Sequence, residues 1–183
     1  MNEQQGTYGP AARVVGMSLP PQRTDGPYRI HLVCLGNICR SPTAHVVLER
    51  RVADAGLADA VEVTSSGTGG WHVGNPMDER AAATLTAAGY DATRHRAAQY
   101  DTAGASSYDL VLVMDESNLA DVGGRSERVG LFRDLDPVEP GSAVPDPYYG
   151  GHDGFEEVLT MVERTTDAIV AELRRIVSTR APG

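Results

Sequence analysis

Short apolar runs alternate along the chain with longer segments in which apolar residues recur at helical spacing. The run at residues 110–113 is apolar at every position, which is typical of a strand buried on both faces of a parallel sheet. The other runs alternate apolar and polar residues or are mostly apolar, and they have the length of single strands. The predicted strands cover residues 29–33, 61–65, 110–113 and 128–132.

Helical periodicity predicts helices between and after these strands. They cover residues 44–55, 78–88, 117–121 and 155–176. Gly56 and Gly89 are typical helix ends, while Asp78 and Asp153 are predicted N-caps. Strands that alternate with helices indicate an α/β fold with a mostly parallel sheet, which binds ligands beyond the carboxyl ends of its strands.

The chain of 183 residues is long enough for one domain with a sizeable core, which we place at residues 28–178. Residues 1–27 are rich in Gln, Gly, Pro and Arg without a sustained period, and we expect a disordered leader there. Residues 179–183 are expected to be a flexible tail. Residues 137–151 form a Pro- and Gly-rich loop that is too long to lack a role in a compact domain.

Composition and charge exclude several classes of protein. The formal net charge of −9 and a pI near 4.9, with no cluster of Lys and Arg, oppose binding to nucleic acid. No apolar run approaches membrane-spanning length, so no membrane partner is expected. Only two cysteines are present, in one turn, which excludes a disulfide framework or a zinc module and favours a cytoplasmic protein.

The turn after the first predicted strand, residues 34–42, has the composition of an anion site. A strand, a polar turn and a helix start aim backbone N–H groups and a helix dipole at one point. Such surroundings stabilise the thiolate of Cys34 and make it a nucleophile. Gly36 permits a positive φ and Asn37 tolerates one, which lets the N–H groups converge, and Arg40 offers a planar fork to two oxygens. Ser41 is the predicted N-cap of the following helix.

Residues Cys34 to Pro42 resemble, without a gap, the signature of the low molecular weight protein tyrosine phosphatases. The resemblance implies a four-stranded, doubly wound, flavodoxin-like sheet with the phosphate-binding loop after its first strand. It also implies hydrolysis of protein phosphotyrosine through a cysteinyl-phosphate, with inorganic phosphate as product and with neither metal nor cofactor. The phosphate-binding residues would be Leu35, Gly36, Asn37, Ile38, Cys39, Arg40 and Ser41.

Asp146 is the candidate general acid for the leaving oxygen. Its flanking prolines stiffen the loop, and a nearby phosphate dianion would favour the protonated carboxyl group. The Asp-Pro-Tyr sequence from Asp146 to Tyr148 also matches the family. In that interpretation Tyr148, Tyr149 and Trp71 form the walls of a slot for a flat phenol.

Other residues that match the family have supporting roles. His95 resembles the histidine that braces the signature asparagine, here Asn37, while Ser41 would stabilise the Cys34 thiolate as a leaving group. Cys39 is either a small packing residue or the partner of Cys34 in a protective disulfide, which the family's paired cysteines are thought to form.

Two alternatives remain open at this point. A thioredoxin-coupled arsenate reductase resembles the same fold and anion turn, but it needs a relay of further cysteines that this chain lacks. A non-catalytic phosphopeptide-binding module would need neither nucleophile nor acid. The oligomeric state is taken as a monomer by default.

Overall fold

The computed structural model describes residues 18–23 and 25–179, and its centre is a sheet of four parallel strands. The strands lie in the order β2-β1-β3-β4, with every adjacent pair parallel. Their bounds are Tyr28–Cys34 for β1, Val61–Gly67 for β2, Leu110–Val113 for β3 and Val129–Leu131 for β4. The predicted α/β class and all four predicted strands are confirmed.

Helices cover both faces of the sheet. Their bounds are Arg40–Asp54 for α1, Glu79–Ala87 for α2, Glu116–Asp121 for α3 and His152–Ser178 for α4, with a 3-10 turn at Ala105–Ser107. Alternate residues of β1 divide between the two cores: Ile30 and Leu32 pack with α1, α2 and α4, whereas Val33 packs with α3. The chain reverses its direction of winding between β1 and β3, and this switch point lies beside Cys34.

Two helix starts differ from the sequence prediction. Helix α1 begins at Arg40 with Cys39 as N-cap, because the hydroxyl of Ser41 donates to the sulfur of Cys34 instead of capping the helix. Helix α4 begins at His152 after Gly151, so Asp153 lies in the first turn rather than at the cap. The predicted cap of α2 is confirmed, since Asp78 accepts a hydrogen bond from the Arg80 N–H at 2.9 Å.

Part of the predicted leader packs on the domain. Leu19 is buried in the core, and the Pro20 carbonyl accepts a hydrogen bond from the Tyr28 hydroxyl at 2.8 Å. The Arg23 N–H donates to Asp109 Oδ1 at 2.6 Å. The expectation of a disordered leader is therefore wrong for residues 18–23, because one buried leucine and two backbone hydrogen bonds hold them. Residues 1–17, 24 and 180–183, which include most of the predicted leader and nearly all of the tail, lie outside the described residues.

His31 is a buried histidine on the face of β1 opposite Cys34. Its ring nitrogens lie 2.7 Å from Thr64 Oγ1 and 2.7 Å from Ser66 Oγ, and the ring stacks on Tyr108 at 4.2 Å. Burial, with a contribution from His45, lowers the pKa of His31 to about 4. The folded protein therefore holds this imidazole neutral.

We expect His31 to make the protein less stable in mild acid. Between its folded pKa of about 4 and the value of about 6.5 for a free histidine, the unfolded chain binds more protons, so stability falls as pH drops through this window. The loss should be on the order of 1–2 kcal/mol between pH 7 and pH 5. Urea unfolding at both pH values should show a smaller pH difference in His31→Gln. The same substitution at the exposed His152 is the control, and an unchanged difference in His31→Gln would contradict the assignment.

Candidate active site

The phosphate loop, residues 34–41, starts where β1 ends and wraps around the sulfur of Cys34. The Asn37 N–H donates to Cys34 Sγ at 3.2 Å, and the Ser41 hydroxyl donates to it at 3.0 Å. Both donors favour a negative charge on the sulfur. The predicted nucleophile thus lies at the carboxyl edge of the sheet with hydrogen-bond donors directed at it.

Asn37 gives the loop its shape. Its φ of 55° is the only positive φ among the described non-glycine residues. The side chain is fully buried: its Nδ2 donates to Ser41 Oγ at 2.8 Å and to Ser65 Oγ at 3.1 Å, while its Oδ1 accepts from the Ala98 N–H at 2.9 Å. Gly36, which permits a positive φ, does not adopt one. The asparagine alone makes the turn, because these hydrogen bonds offset its backbone strain.

His95, the histidine predicted to brace Asn37, contacts the backbone of that residue. Its Nε2 lies 2.7 Å from the Asn37 carbonyl oxygen, and because that oxygen can only accept, Nε2 carries the proton. Burial lowers the pKa of His95, although the hydrogen bond to the carbonyl opposes the shift. The ring is therefore a fixed hydrogen-bond donor to the phosphate loop.

Gly67, the last residue of β2, allows the backbone of β2 to approach the backbone of the phosphate loop closely. A Cβ on Gly67 would lie 2.6 Å from the Leu35 oxygen and 2.9 Å from the Asn37 nitrogen. The next residues also bond to the phosphate loop, since the Thr68 N–H donates to the Cys34 carbonyl at 2.9 Å and the Gly69 N–H to the Leu35 carbonyl at 2.8 Å. Any larger residue at 67 would push the loop away from β2.

Arg40 is 4% exposed and points toward two carboxylates. Its Nη1 donates to Asp115 Oδ2 at 2.5 Å and to the Val144 carbonyl at 3.2 Å, and its Nη2 donates to Asp146 Oδ2 at 3.2 Å. Asp115 also accepts from the Asn118 N–H at 2.8 Å, which fixes it as the N-cap of α3. The guanidinium is therefore oriented by fixed acceptors before any ligand binds.

Sequence reasoning gave Asp115 no chemical role. The signal for Asp115 was its position directly after β3. Because β3 lies next to β1, Asp115 lies at the same carboxyl edge of the sheet as Cys34. Asp115 pairs with Arg40 across a sequence separation of 75 residues.

Asp146 lies on the acid loop, residues 132–151, which connects β4 to α4. Its Oδ1 accepts from the Tyr148 N–H at 3.1 Å, so a local turn sets the direction of the carboxyl group. Its side chain is 41% exposed, and the other oxygen contacts Arg40. Asp146 is thus held by its own turn and remains open to a ligand.

One cavity of about 290 Å³ unites the predicted residues. Its lining consists of Cys34, Leu35, Gly36, Ile38, Cys39, Arg40, Trp71, His72, Asp146, Tyr148 and Tyr149. The rings at its mouth are accessible, with Trp71 69% exposed and Tyr149 93% exposed. Tyr148 meets Tyr149 edge to face at 5.0 Å between centroids. Aromatic walls therefore border the phosphate loop.

His72 lines the same cavity and was missed by sequence reasoning. Its Cδ2 would lie 3.0 Å from a Cβ on Gly36, so the ring packs closely on the phosphate loop. Trp71, its neighbour, folds back over Gly69, where a Cβ would fall 1.3 Å from the indole Cζ3. The only signal in the sequence was that His72 is adjacent to Trp71.

Two features are absent from residues 18–23 and 25–179. No group of three or more His, Cys, Asp and Glu side chains is placed to hold a metal ion. None of the helices in this part of the chain has the length and apolar character needed to cross a membrane.

The fold and the site together define an α/β protein whose cysteine faces an anion-binding turn at the switch point of a parallel sheet. The family model described as low molecular weight phosphotyrosine protein phosphatase matches residues 29–179. The chain therefore belongs to this family of cysteine-dependent phosphatases.

Individual relatives agree with this assignment. The chain is 45% identical over 162 residues to the low molecular weight protein-tyrosine-phosphatase of Streptomyces coelicolor, covering 84% of this chain and 98% of the relative. It is 46% identical over 142 residues to protein-tyrosine phosphatase A of Mycobacterium tuberculosis, covering 75% and 86%. The crystal structure of YfkJ from Bacillus subtilis matches with a TM-score of 0.75 and 28% identity, covering 81% of this chain and 96% of that one.

Proposed function

We propose that the protein hydrolyses phosphotyrosine in proteins through a cysteinyl-phosphate on Cys34. The observation that carries this proposal is that Cys34, Arg40 and Asp146 line one cavity whose mouth is aromatic. Family membership supports the reaction class. The contacts of Cys34, Arg40 and Asp146 support a role for each residue.

The first step is in-line attack of the Cys34 thiolate on phosphorus. The N–H groups of the phosphate loop and the fork of Arg40 bind the equatorial oxygens, and this binding stabilises the charge of the transition state. Asp115 holds Arg40 at the floor of the cavity, so little reorganisation is needed when phosphate enters. Ser41 stabilises the thiolate again when the cysteinyl-phosphate breaks down.

Asp146 supplies the proton of the first step and accepts one in the second. Its protonated carboxyl group gives a proton to the departing phenolate, and the resulting carboxylate then takes a proton from the attacking water. Inorganic phosphate leaves, and the free thiolate is restored. Asp146 Oδ2 lies 3.2 Å from Arg40 Nη2, so the carboxyl group stands beside the guanidinium that binds the phosphate.

The slot favours an aryl ester over an alkyl one. Cys34 is buried at the bottom of the cavity, and the rings of Trp71 and Tyr149 extend outward from it. A phenol bridges this depth and stacks on the walls, whereas a serine phosphate would draw the peptide backbone into the cavity.

Phosphate release from two peptides that differ only in phosphotyrosine or phosphoserine tests the proposal. We expect the phosphotyrosine peptide to be hydrolysed with a kcat/KM at least about 100-fold higher. Equal rates on the two peptides, or no hydrolysis of either, would contradict it.

The same chemistry indicates the substrates of the enzyme and the compartment in which it works. Tyrosine-phosphorylated proteins are the proposed substrates, and their dephosphorylation is a signalling reaction. The mechanism uses only protein groups, so it proceeds without metal. A reducing compartment such as the cytoplasm would keep the nucleophilic thiol free. We take the protein to act as a monomer.

Cys39 is proposed to protect the nucleophile from irreversible oxidation. Burial, aided by nearby Asp78, raises the pKa of Cys39 to about 12, so it remains a thiol while Cys34 is the sulfur that peroxide attacks. The sulfenic acid of Cys34 then condenses with the Cys39 thiol to give a disulfide and water.

We expect peroxide to inactivate the enzyme reversibly. Thiol should restore the parent protein but not Cys39→Ser, and phosphate should slow the inactivation of both. Activity after dithiothreitol treatment and mass spectrometry of the peptides check this. Full recovery of Cys39→Ser, with no intramolecular disulfide in the parent, would leave Cys39 a packing residue.

A further inference from the structure

The acid loop is anchored by one buried arginine. Arg133 is 3% exposed, and its Nε donates to Asp136 Oδ2 at 2.8 Å. Its Nη1 donates to the Ala143 carbonyl at 2.9 Å, and its Nη2 pairs with Glu139. A single guanidinium thus binds three points along the loop that leads to Asp146.

Asp136 fixes this guanidinium to the rest of the domain. It is fully buried, and Arg164 of α4 donates to it from Nε at 2.7 Å and from Nη2 at 2.6 Å. The Val138 N–H donates to it at 3.0 Å. Burial opposes the charge on Asp136, but the hydrogen bonds from Arg164, Val138 and Arg133 outweigh burial and hold its pKa well below the ordinary range.

The cluster is therefore an ion network with a buried centre, the pair of Arg133 and Asp136, and with outer members, Arg164 and Glu139, that reach the surface. Two arginines face the carboxylates of Asp136 and Glu139. Such a network contributes little net stability compared with apolar packing, but it fixes the relative positions of the groups it joins. In this protein the network joins α4 to the acid loop, and within the loop it joins Arg133 to Ala143.

The anchored carbonyl is close in the chain to the proposed acid. Val144 follows Ala143, and its N–H donates to the Met114 carbonyl at 2.7 Å while its own carbonyl accepts from Arg40 at 3.2 Å. Pro145 comes next and has a fixed φ. Few free torsions separate the Ala143 carbonyl from Asp146, so a shift at this carbonyl moves the carboxyl group.

We propose that Arg133 is a positioning residue that aims Asp146 at the leaving oxygen by holding the Ala143 carbonyl. The inference rests on the proposed function, because it assumes that Asp146 is the general acid. It assigns a part in proton transfer to a side chain that does not line the cavity.

The dependence of the rate on the leaving group tests this role. Arg133→Met should slow phosphoenzyme formation from phosphotyrosine and phenyl phosphate by roughly 10- to 100-fold, since a displacement of about 1 Å can cost that much. An ester of a very acidic phenol needs little protonation, so its loss should stay within a few-fold. Stopped flow gives the first-order rate constant of the burst, which does not depend on how much of the protein is folded and active.

Arg164→Met is the matched control. It removes a half-buried arginine from the same carboxylate but leaves the hydrogen bond from Arg133 to the Ala143 carbonyl, so its leaving-group dependence should equal that of the parent. Arg133→Lys keeps the positive charge but loses the planar guanidinium. It should show the same leaving-group dependence as Arg133→Met, with smaller losses in rate. It serves as the test variant if Arg133→Met does not fold.

The outcomes separate this inference from the function on which it rests. Equal losses across all esters in both Arg133 variants, with a steep dependence in Asp146→Asn, would overturn the positioning role alone. A flat dependence in Asp146→Asn itself would overturn the general acid and this inference with it. A steep dependence in the Arg133 variants and a parent-like one in Arg164→Met would establish the role.

Discussion

Cys34→Ser should abolish turnover of phenyl phosphates, with a loss of roughly 10⁴- to 10⁶-fold in kcat, as for other covalent enzymes that lose their nucleophile. A serine hydroxyl remains protonated at neutral pH, and the loop has no base within the contacts of residue 34 to activate it. Those contacts are donors: the Asn37 N–H and the Ser41 hydroxyl. Steady-state assays with a phenyl phosphate measure the loss.

The same variant should still bind phosphate within a few-fold of the parent affinity, measured by calorimetry. The cradle consists of backbone N–H groups and Arg40, and neither is altered by the substitution. Cys39→Ser makes the identical change elsewhere in the same turn and should retain most of the activity. Substantial turnover by Cys34→Ser would remove the covalent mechanism.

Asp146→Asn should slow phosphotyrosine hydrolysis by roughly 10²- to 10⁴-fold, the usual contribution of a positioned general acid. The loss should shrink as the leaving phenol becomes more acidic, because such phenolates leave without a proton. Pre-steady-state rates of phosphoenzyme formation over a series of phenols measure this trend.

Asp115→Asn is the control for the acid, since it removes the other carboxylate from Arg40. Asp115 holds Arg40 at 2.5 Å but does not line the cavity, so its loss should misplace the guanidinium and slow all esters alike. If Asp146→Asn and Asp115→Asn gave the same flat profile, Asp146 would be only a partner of Arg40 and not the acid.

The parts of the site that are local in sequence could be predicted from the residues. Cys34 and Arg40 lie in one stretch between a strand and a helix, and this arrangement alone brings thiol, N–H groups and guanidinium together. The same reasoning does not assign Asp146, because an Asp-Pro turn is common in surface loops. The resemblance to a family motif made the assignment.

Groups that meet across the fold could not be predicted in this way. Asp115 and Arg133 act through contacts that depend on how β3 and the acid loop lie beside β1. Strand order also came from the resemblance, since spacing along a chain does not specify which strands are neighbours.

Three local predictions differ from the structure because contacts with other parts of the protein decide the conformation. Ser41 has the composition of an N-cap, but the sulfur of Cys34 accepts its hydroxyl instead. Asn37, and not the more permissive Gly36, takes the left-handed conformation, because buried partners hold the asparagine side chain. Leu19 is a single apolar residue without periodicity, so no pattern indicated that it enters the core.

The measurement that tests the account most directly is the identification of the phosphorylated residue. Asp146→Asn treated with an ester of an acidic phenol should accumulate the intermediate, because formation is spared while hydrolysis lacks its base. Rapid quenching and mass spectrometry should then find one phosphoryl group on the sulfur of Cys34. Continued turnover with no phosphoryl group on the protein, or with the group on another residue such as Ser41, would contradict the proposed mechanism.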